Sequence, residues 1–245
     1  MSGKLVDPAA ALALMLAVWS LLLAGSLLDP LLGTGASVFV TFLLATVLVL
    51  ATRTAGRPFS VRRAGGLLAT GGLIGFAGYP AWVAFIGWTG MQIGLPHAGA
   101  LETPRAPLLL VSTLVLAPVF EEILYRERLL AALTPLAGPP LAVLLTSVLF
   151  ALPHVNAWGV LTTLWVGLVL GVAAHRGHSV APCIGVHMGL NLAAVLCGVP
   201  PGRWLLPLPA AALLGLGGLC LLVRLARRSL AEAAPSLSGG ACRGR

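Results

Sequence analysis

Eight apolar runs divide the chain, at residues 9–28, 35–51, 66–89, 107–130, 139–154, 157–174, 180–197 and 205–224, with short clusters of Arg, Pro and Gly between them. A helix needs about 20 apolar residues to cross a hydrocarbon core of about 30 Å. The pattern therefore predicts an all-α, polytopic transmembrane helix bundle of about eight spans enclosing a polar intramembrane cavity. The fifth run is short, and its helix is expected to tilt or to stop inside the bundle. The first run, Ala9 to Leu28, also admits a signal-peptide reading with Ala24-Gly25-Ser26 as cleavage site. Its length favours a retained span.

Composition agrees with this pattern. Hydrophobic residues make up 58% of the 245 positions and charged residues 9%, against about 25% charged in soluble domains. The net charge of +8 does not indicate a nucleic-acid partner, because the basic residues sit in short clusters between apolar runs and form no contiguous patch. With a cytoplasmic N-terminus, Lys4, Arg53, Arg57, Arg62, Arg63, Arg126, Arg128, Arg176, Arg224, Arg227, Arg228, Arg243 and Arg245 fall in inside loops. Only Arg105 and Arg203 fall outside. The positive-inside rule then favours an even span count with both termini cytoplasmic. Arg57 to Arg63 is expected to lie on the membrane surface, and the Ser/Gly-rich tail from Pro235 to be disordered. The four cysteines lack C-x-x-C spacing, which argues against a zinc or disulfide framework. The pairs Gly71/Gly75, Gly167/Gly171 and Gly185/Gly189 have the small-xxx-small spacing that lets helices approach closely in lipid.

Three polar motifs interrupt the apolar runs. The first is Glu121-Glu122 with Arg126, in a chain holding only seven acids. A charge at bilayer depth costs about 2.5–3.5 kcal/mol on insertion scales, so carboxylates there call for a function. Glu122 and Arg126 are spaced i,i+4 and share a helix face, whereas Glu121 points elsewhere and has no basic residue at i+3 or i+4. Glu121 is thus the free carboxylate and Glu122 the paired one. The second motif is Phe150-Ala-Leu-Pro-His154, where Pro153 disturbs the end of the fifth run. The third is His187-Met-Gly-Leu-Asn191, which puts an imidazole and an amide on one helix face. Each has a plain structural alternative: snorkelling charges, a helix-end histidine, or interhelical hydrogen bonds. Together they supply the parts of a hydrolytic site.

In the order E-E-x-x-x-R, F-x-x-x-H and H-x-x-x-N, these motifs resemble those of the CPBP family of intramembrane proteases, which includes the type II CAAX prenyl endopeptidases. The resemblance covers roughly residues 105–200. It implies peptide-bond hydrolysis within the bilayer, by a glutamic-type chemistry without a cofactor. In this reading Glu121 and His154 activate a water, His187 and Asn191 stabilise the oxyanion, and Glu122, Arg126 and Phe150 support them. The rival chemistry is a zinc site using Glu121, His154 and His187, although no H-E-x-x-H occurs. Two further classes stay open: a proton- or ion-coupled transporter, and a silent binding or immunity protein of the same fold. The implied partners are the lipid bilayer and a protein or peptide substrate. Substrates of the family include prenylated C-terminal tails, bacteriocin-related peptides and C-terminal sorting anchors. The expected organisation is 1–104 as three N-terminal helices and their loops, 105–200 as the protease core, 201–230 as a last helix and 231–245 as a cytoplasmic tail. The expected location is the bacterial inner membrane. A reporter fused to the C-terminus should be active only on the cytoplasmic side, and activity only on the opposite side would overturn the even-span topology.

Overall fold

A computed structural model describes residues 6–52, 61–95, 106–154, 156–177 and 179–197, together with Leu213, Gly217, Cys220 and Arg224 as single positions. Every element among the described residues is helical: α1 (Pro8–Ser26), α2 (Asp29–Leu32), α3 (Thr34–Ala51), α4 (Val61–Gln92), α5 (Pro107–Ala137), α6 (Pro139–Ala151), α7 (Ala157–Gly177) and α8 (Ala181–Cys197). Five helices are long and apolar enough to cross a membrane, namely α1, α3, Gly65–Gly90 of α4, α5, and Ala157–Arg176 of α7. The protein is an all-α integral membrane bundle. Helices α6 and α8 have 13 and 17 residues and rise about 20 and 26 Å at 1.5 Å per residue, short of a full hydrocarbon core. The four single positions in the eighth run are helical. The rest of that run, the Arg57 to Ser60 stretch and the tail lie outside the described residues.

The distribution of side chains is that of a bundle in lipid. Leu23, Leu27, Leu31 and Leu73 are more than two-thirds exposed, whereas Ser37, Thr41, Thr46, Ser112, Glu122, Arg126, Thr146, Ser147 and His187 are buried. Most of the buried hydroxyls return to their own helix. Thr41 donates to the Ser37 carbonyl at 2.7 Å and Ser147 to the Val143 carbonyl at 2.6 Å, so these buried donors are satisfied within their own helices. Helix α1 starts at Pro8, whose missing N–H costs nothing in a first turn, and the Asp7 carboxylate accepts the Ala9 N–H at 3.0 Å.

Helix α5 departs from the expected span. It does not stop at residue 130 but runs on to Ala137, and it contains two π-helical segments, Ser112–Leu116 and Ile123–Leu129. Arg126 and Arg128 therefore lie within the helix, buried, rather than in a loop, and contribute nothing to the loop charge count. Gly138 ends the helix at φ +76°, a conformation that side-chain-bearing residues rarely adopt, and Pro139 opens α6 immediately after it. The result is a tight helical hairpin. Arg126 and Phe150 lie equally far from Gly138 along the chain, and they meet across the hairpin.

The Gly pairs identify a second tight contact. Gly71 and Gly75 of α4 face Gly185 and Gly189 of α8, so two of the three small-residue motifs meet each other. A Cβ on Gly189 would collide with the Gly72 carbonyl oxygen, and one on Gly75 with the Val186 carbonyl oxygen. Backbone packs on backbone here, without side chains to yield. The third pair, Gly167 and Gly171, packs against Ser147 and Val143 of α6. Gly189→Ala should destabilise the purified protein by about 1–3 kcal/mol, the usual cost of overpacking, read as a lower melting temperature in detergent. Gly87→Ala, with nothing within 4 Å of the added carbon, should be neutral or gain up to about 1 kcal/mol of helix propensity. Equal effects at the two sites would refute the interlock.

Candidate active site

The three motifs converge where α5, the end of α6 and α8 meet. Glu122 is at the centre, with no solvent exposure at all. Its Oε1 lies 3.3 Å from Nη1 of Arg126, as the i,i+4 spacing predicts. The same oxygen lies 3.0 Å from Nδ1 of His187, which the spacing within one helix could not reveal. The Arg126 contact is an ion pair without hydrogen-bond geometry, and both Nη atoms and Glu122 Oε2 lack a hydrogen-bond partner among the described residues. The guanidinium is held a second way: it lies over the Phe150 ring, 4.3 Å from the centroid, within cation–π range.

Glu121, on the neighbouring face, is slightly exposed and lies with its Oε2 3.8 Å from Nε2 of His187. The imidazole thus stands between the two carboxylates, Nδ1 toward Glu122 and Nε2 toward Glu121. A carboxylate oxygen without a proton can only accept, so the 3.0 Å contact makes Nδ1 the donor. The ion pair of Glu121 is with His187 of α8, whereas that of Arg126 is with Glu122.

His154 follows the end of α6, where its backbone N–H donates to the Ala151 carbonyl at 3.0 Å. Its ring meets Phe150 edge-on, with centroids 5.7 Å apart, and the His187 ring meets the same Phe150 at 6.0 Å. Phe150 is therefore the spacer between the two histidines and the platform for Arg126. Nδ1 of His154 is buried without a hydrogen-bond partner among the described residues. Because α5 runs on to Ala137 before the turn, α6 brings Phe150 and His154 back to the site.

Asn191 sits one turn beyond His187, and its Nδ2 donates to the Thr113 carbonyl of α5 at 2.8 Å. Two contributors were not legible as site residues. Tyr125 packs edge-on against Phe150 with centroids 5.3 Å apart, and its hydroxyl accepts a hydrogen bond of 2.8 Å from the Trp19 indole of α1. A tyrosine beside the acid pair, inside an apolar run, is the signal that could have found it, since a buried hydroxyl needs a partner. Thr113 enters through its backbone, and its identity gives no such signal. Among the described residues, no group of three or more His, Cys, Asp and Glu side chains is arranged to hold a metal ion. A cavity of about 400 Å³ between α1, α5 and α6 is lined by apolar side chains including Leu12, Leu129 and Leu149, and by none of the motif residues.

Residues 103–193 match the family model of type II CAAX prenyl endopeptidase Rce1-like proteins. No curated protein and no solved structure matches the chain. The matched stretch holds Glu121, Glu122, Arg126, Phe150, His154, His187 and Asn191, and over these residues the match supports the resemblance to the type II CAAX prenyl endopeptidases of the CPBP family.

Proposed function

We propose that the protein is a glutamic-type intramembrane endopeptidase that cleaves a peptide bond in a membrane-embedded or C-terminal segment of its substrate, with no metal required. At the family level it is a CAAX-type protease hydrolase; the residue roles and the chemistry are our reading. The observation that carries it is the position of His187 between two carboxylates, one paired to Arg126 and one not.

Glu121 and His154 hold the attacking water. Glu121 takes one of its protons as the oxygen bonds to the scissile carbonyl carbon, and the carbonyl π electrons move onto the oxygen. His187 and Asn191 donate hydrogen bonds to that oxyanion. When the tetrahedral intermediate collapses, the C–N bond breaks and the proton held by Glu121 passes to the leaving amine. For His187 to donate at Nε2 while Nδ1 donates to Glu122, the ring carries both protons. The counter-charge is present: Glu121 and Glu122 balance Arg126 and the imidazolium, so the cluster is neutral and tolerable at low dielectric. We place the enzyme in a bacterial cell membrane with both termini cytoplasmic, following the loop charges.

The two glutamates should separate by readout. Glu121→Gln keeps the shape and removes the base. It should lower turnover at least a hundredfold, within the usual range for loss of general-base catalysis, with an unchanged melting temperature. Glu122→Gln leaves Arg126 without its buried counter-charge and should cost about 3–5 kcal/mol of stability. The assay is purified protein in vesicles with a prenylated CAAX peptide and, in parallel, a transmembrane helical peptide. A stable, inactive Glu122→Gln beside an active Glu121→Gln would reverse the two roles.

Metal independence is tested separately. Protein dialysed against a strong chelator, with metal content measured, should retain its turnover. A zinc protease would lose its nucleophile, because the ion is what brings the bound water's pKa to about 7. Activity that vanishes on chelation and returns with one equivalent of Zn²⁺ would replace Glu121 as the base with a Glu121–His154–His187 ligand set.

A further inference from the structure

The first π-helical segment of α5 ends against a proline, and this has a chemical effect. In the π register each N–H donates to the carbonyl five residues back. The Ala117 N–H follows it, donating to the Ser112 carbonyl. The next donor in that register, the one owed to Thr113, would be residue 118. Residue 118 is proline and has no N–H. The Thr113 carbonyl is thus deprived of a donor from its own helix, in a setting where a bare backbone carbonyl is costly. Asn191 of α8 supplies the donor, its Nδ2 lying 2.8 Å away.

This bond does two things to Asn191. A carbonyl only accepts, so the amide nitrogen and not the amide oxygen must face α5, which fixes the flip of the side chain. It also uses one of the two N–H bonds of Nδ2 and leaves the second with a set direction. Asn191 is four residues after His187, on the same face of α8. Two cross-links then hold α8 to α5: Asn191 to the Thr113 carbonyl and His187 to Glu122.

We propose that Pro118 is a positioning residue for hydrolysis. By excluding the Thr113 carbonyl from the helix ladder it makes that carbonyl the orienting acceptor for the Asn191 amide, whose remaining N–H is aimed at the reacting carbonyl oxygen. The catalytic half of this proposal rests on the protease reading above; the cross-link itself does not.

The test is a double-mutant cycle of Pro118→Ala and Asn191→Ala, read in both stability and kinetics on the prenylated CAAX peptide in vesicles. Alanine at 118 restores an N–H that can take the Thr113 carbonyl. Pro118→Ala should therefore keep or raise the melting temperature yet lower kcat about tenfold, with KM within twofold of the parent. A merely structural proline would not give that combination. Asn191→Ala should lower the melting temperature by about 2–4 °C in the parent and by less than 1 °C in the Pro118→Ala protein, whose helix no longer needs the amide. In the Asn191→Ala background, Pro118→Ala should leave kcat unchanged. Additive melting temperatures would overturn the cross-link. Coupled melting temperatures with an unchanged kcat for Pro118→Ala would overturn the positioning role. If the parent hydrolyses neither the CAAX nor the transmembrane peptide, the protease reading has failed and with it the positioning role. The melting temperatures then still decide the cross-link.

Discussion

A carboxylate with no solvent exposure, buried among membrane helices, is the constraint on which the arrangement depends. Glu122 cannot remain charged there without partners close by, and it has two: the Arg126 cation from its own helix and the His187 ring from α8. Both address the same oxygen. Any shift of α8 along α5 would strip Glu122 of its imidazole partner, and any unwinding between residues 122 and 126 would leave a charge uncompensated at a cost of several kcal/mol. The same restriction sets the orientation of the imidazole. Because Nδ1 of His187 is committed to Glu122, Nε2 has only one direction left, and Glu121 lies in it. Glu122 thus determines where the imidazole meets Glu121.

The hairpin around Gly138 supplies the third component. A one-residue turn at positive φ allows no slack between α5 and α6, so levels on the two helices are linked by counting from the turn. Phe150 arrives opposite Arg126, and its ring serves several neighbours: the guanidinium over its face, and the rings of Tyr125, His154 and His187 in T-shaped contact with it. An aromatic ring suits this place because its face attracts a cation while its edge packs against other rings. A leucine of similar volume would fill the space and lose the cation–π contact.

Much of this was legible in the chain, and the failures have physical causes. The apolar runs located seven helices because lipid enforces hydrophobicity along whole segments. The i,i+4 rule paired Glu122 with Arg126 because that geometry is local. The end of α5 was misread, since Arg126-Glu127-Arg128 has the composition of a loop. An ion pair and an aromatic face instead keep Arg126 inside the helix. The second partner of Glu122, the facing of the Gly71/Gly75 and Gly185/Gly189 pairs, and the tie from Asn191 to Thr113 all join distant segments. No single-helix periodicity encodes them. The π register at Thr113 was further concealed, because it changes which backbone groups are paired without changing any side chain.

The family match stops at residue 193 and starts at residue 103, yet the site does not end there. Helix α8 carries His187 and Asn191 on one face and Gly185 and Gly189 on another, and the glycine face is covered by the α4 backbone at Gly71, Gly72 and Gly75. Without α4 the polar face of α8 would have no rigid support behind it. Helix α1 contributes similarly through Trp19, which fixes the Tyr125 hydroxyl and with it the ring that backs Phe150. Lipid provides little hydrophobic drive for helix association, so such contacts must come from close packing and hydrogen bonds. The N-terminal helices use one of each: backbone against backbone at α4, and an indole-to-phenol hydrogen bond at α1. They are part of the scaffold that holds the acids and histidines in register, although their sequences carry none of the motif residues.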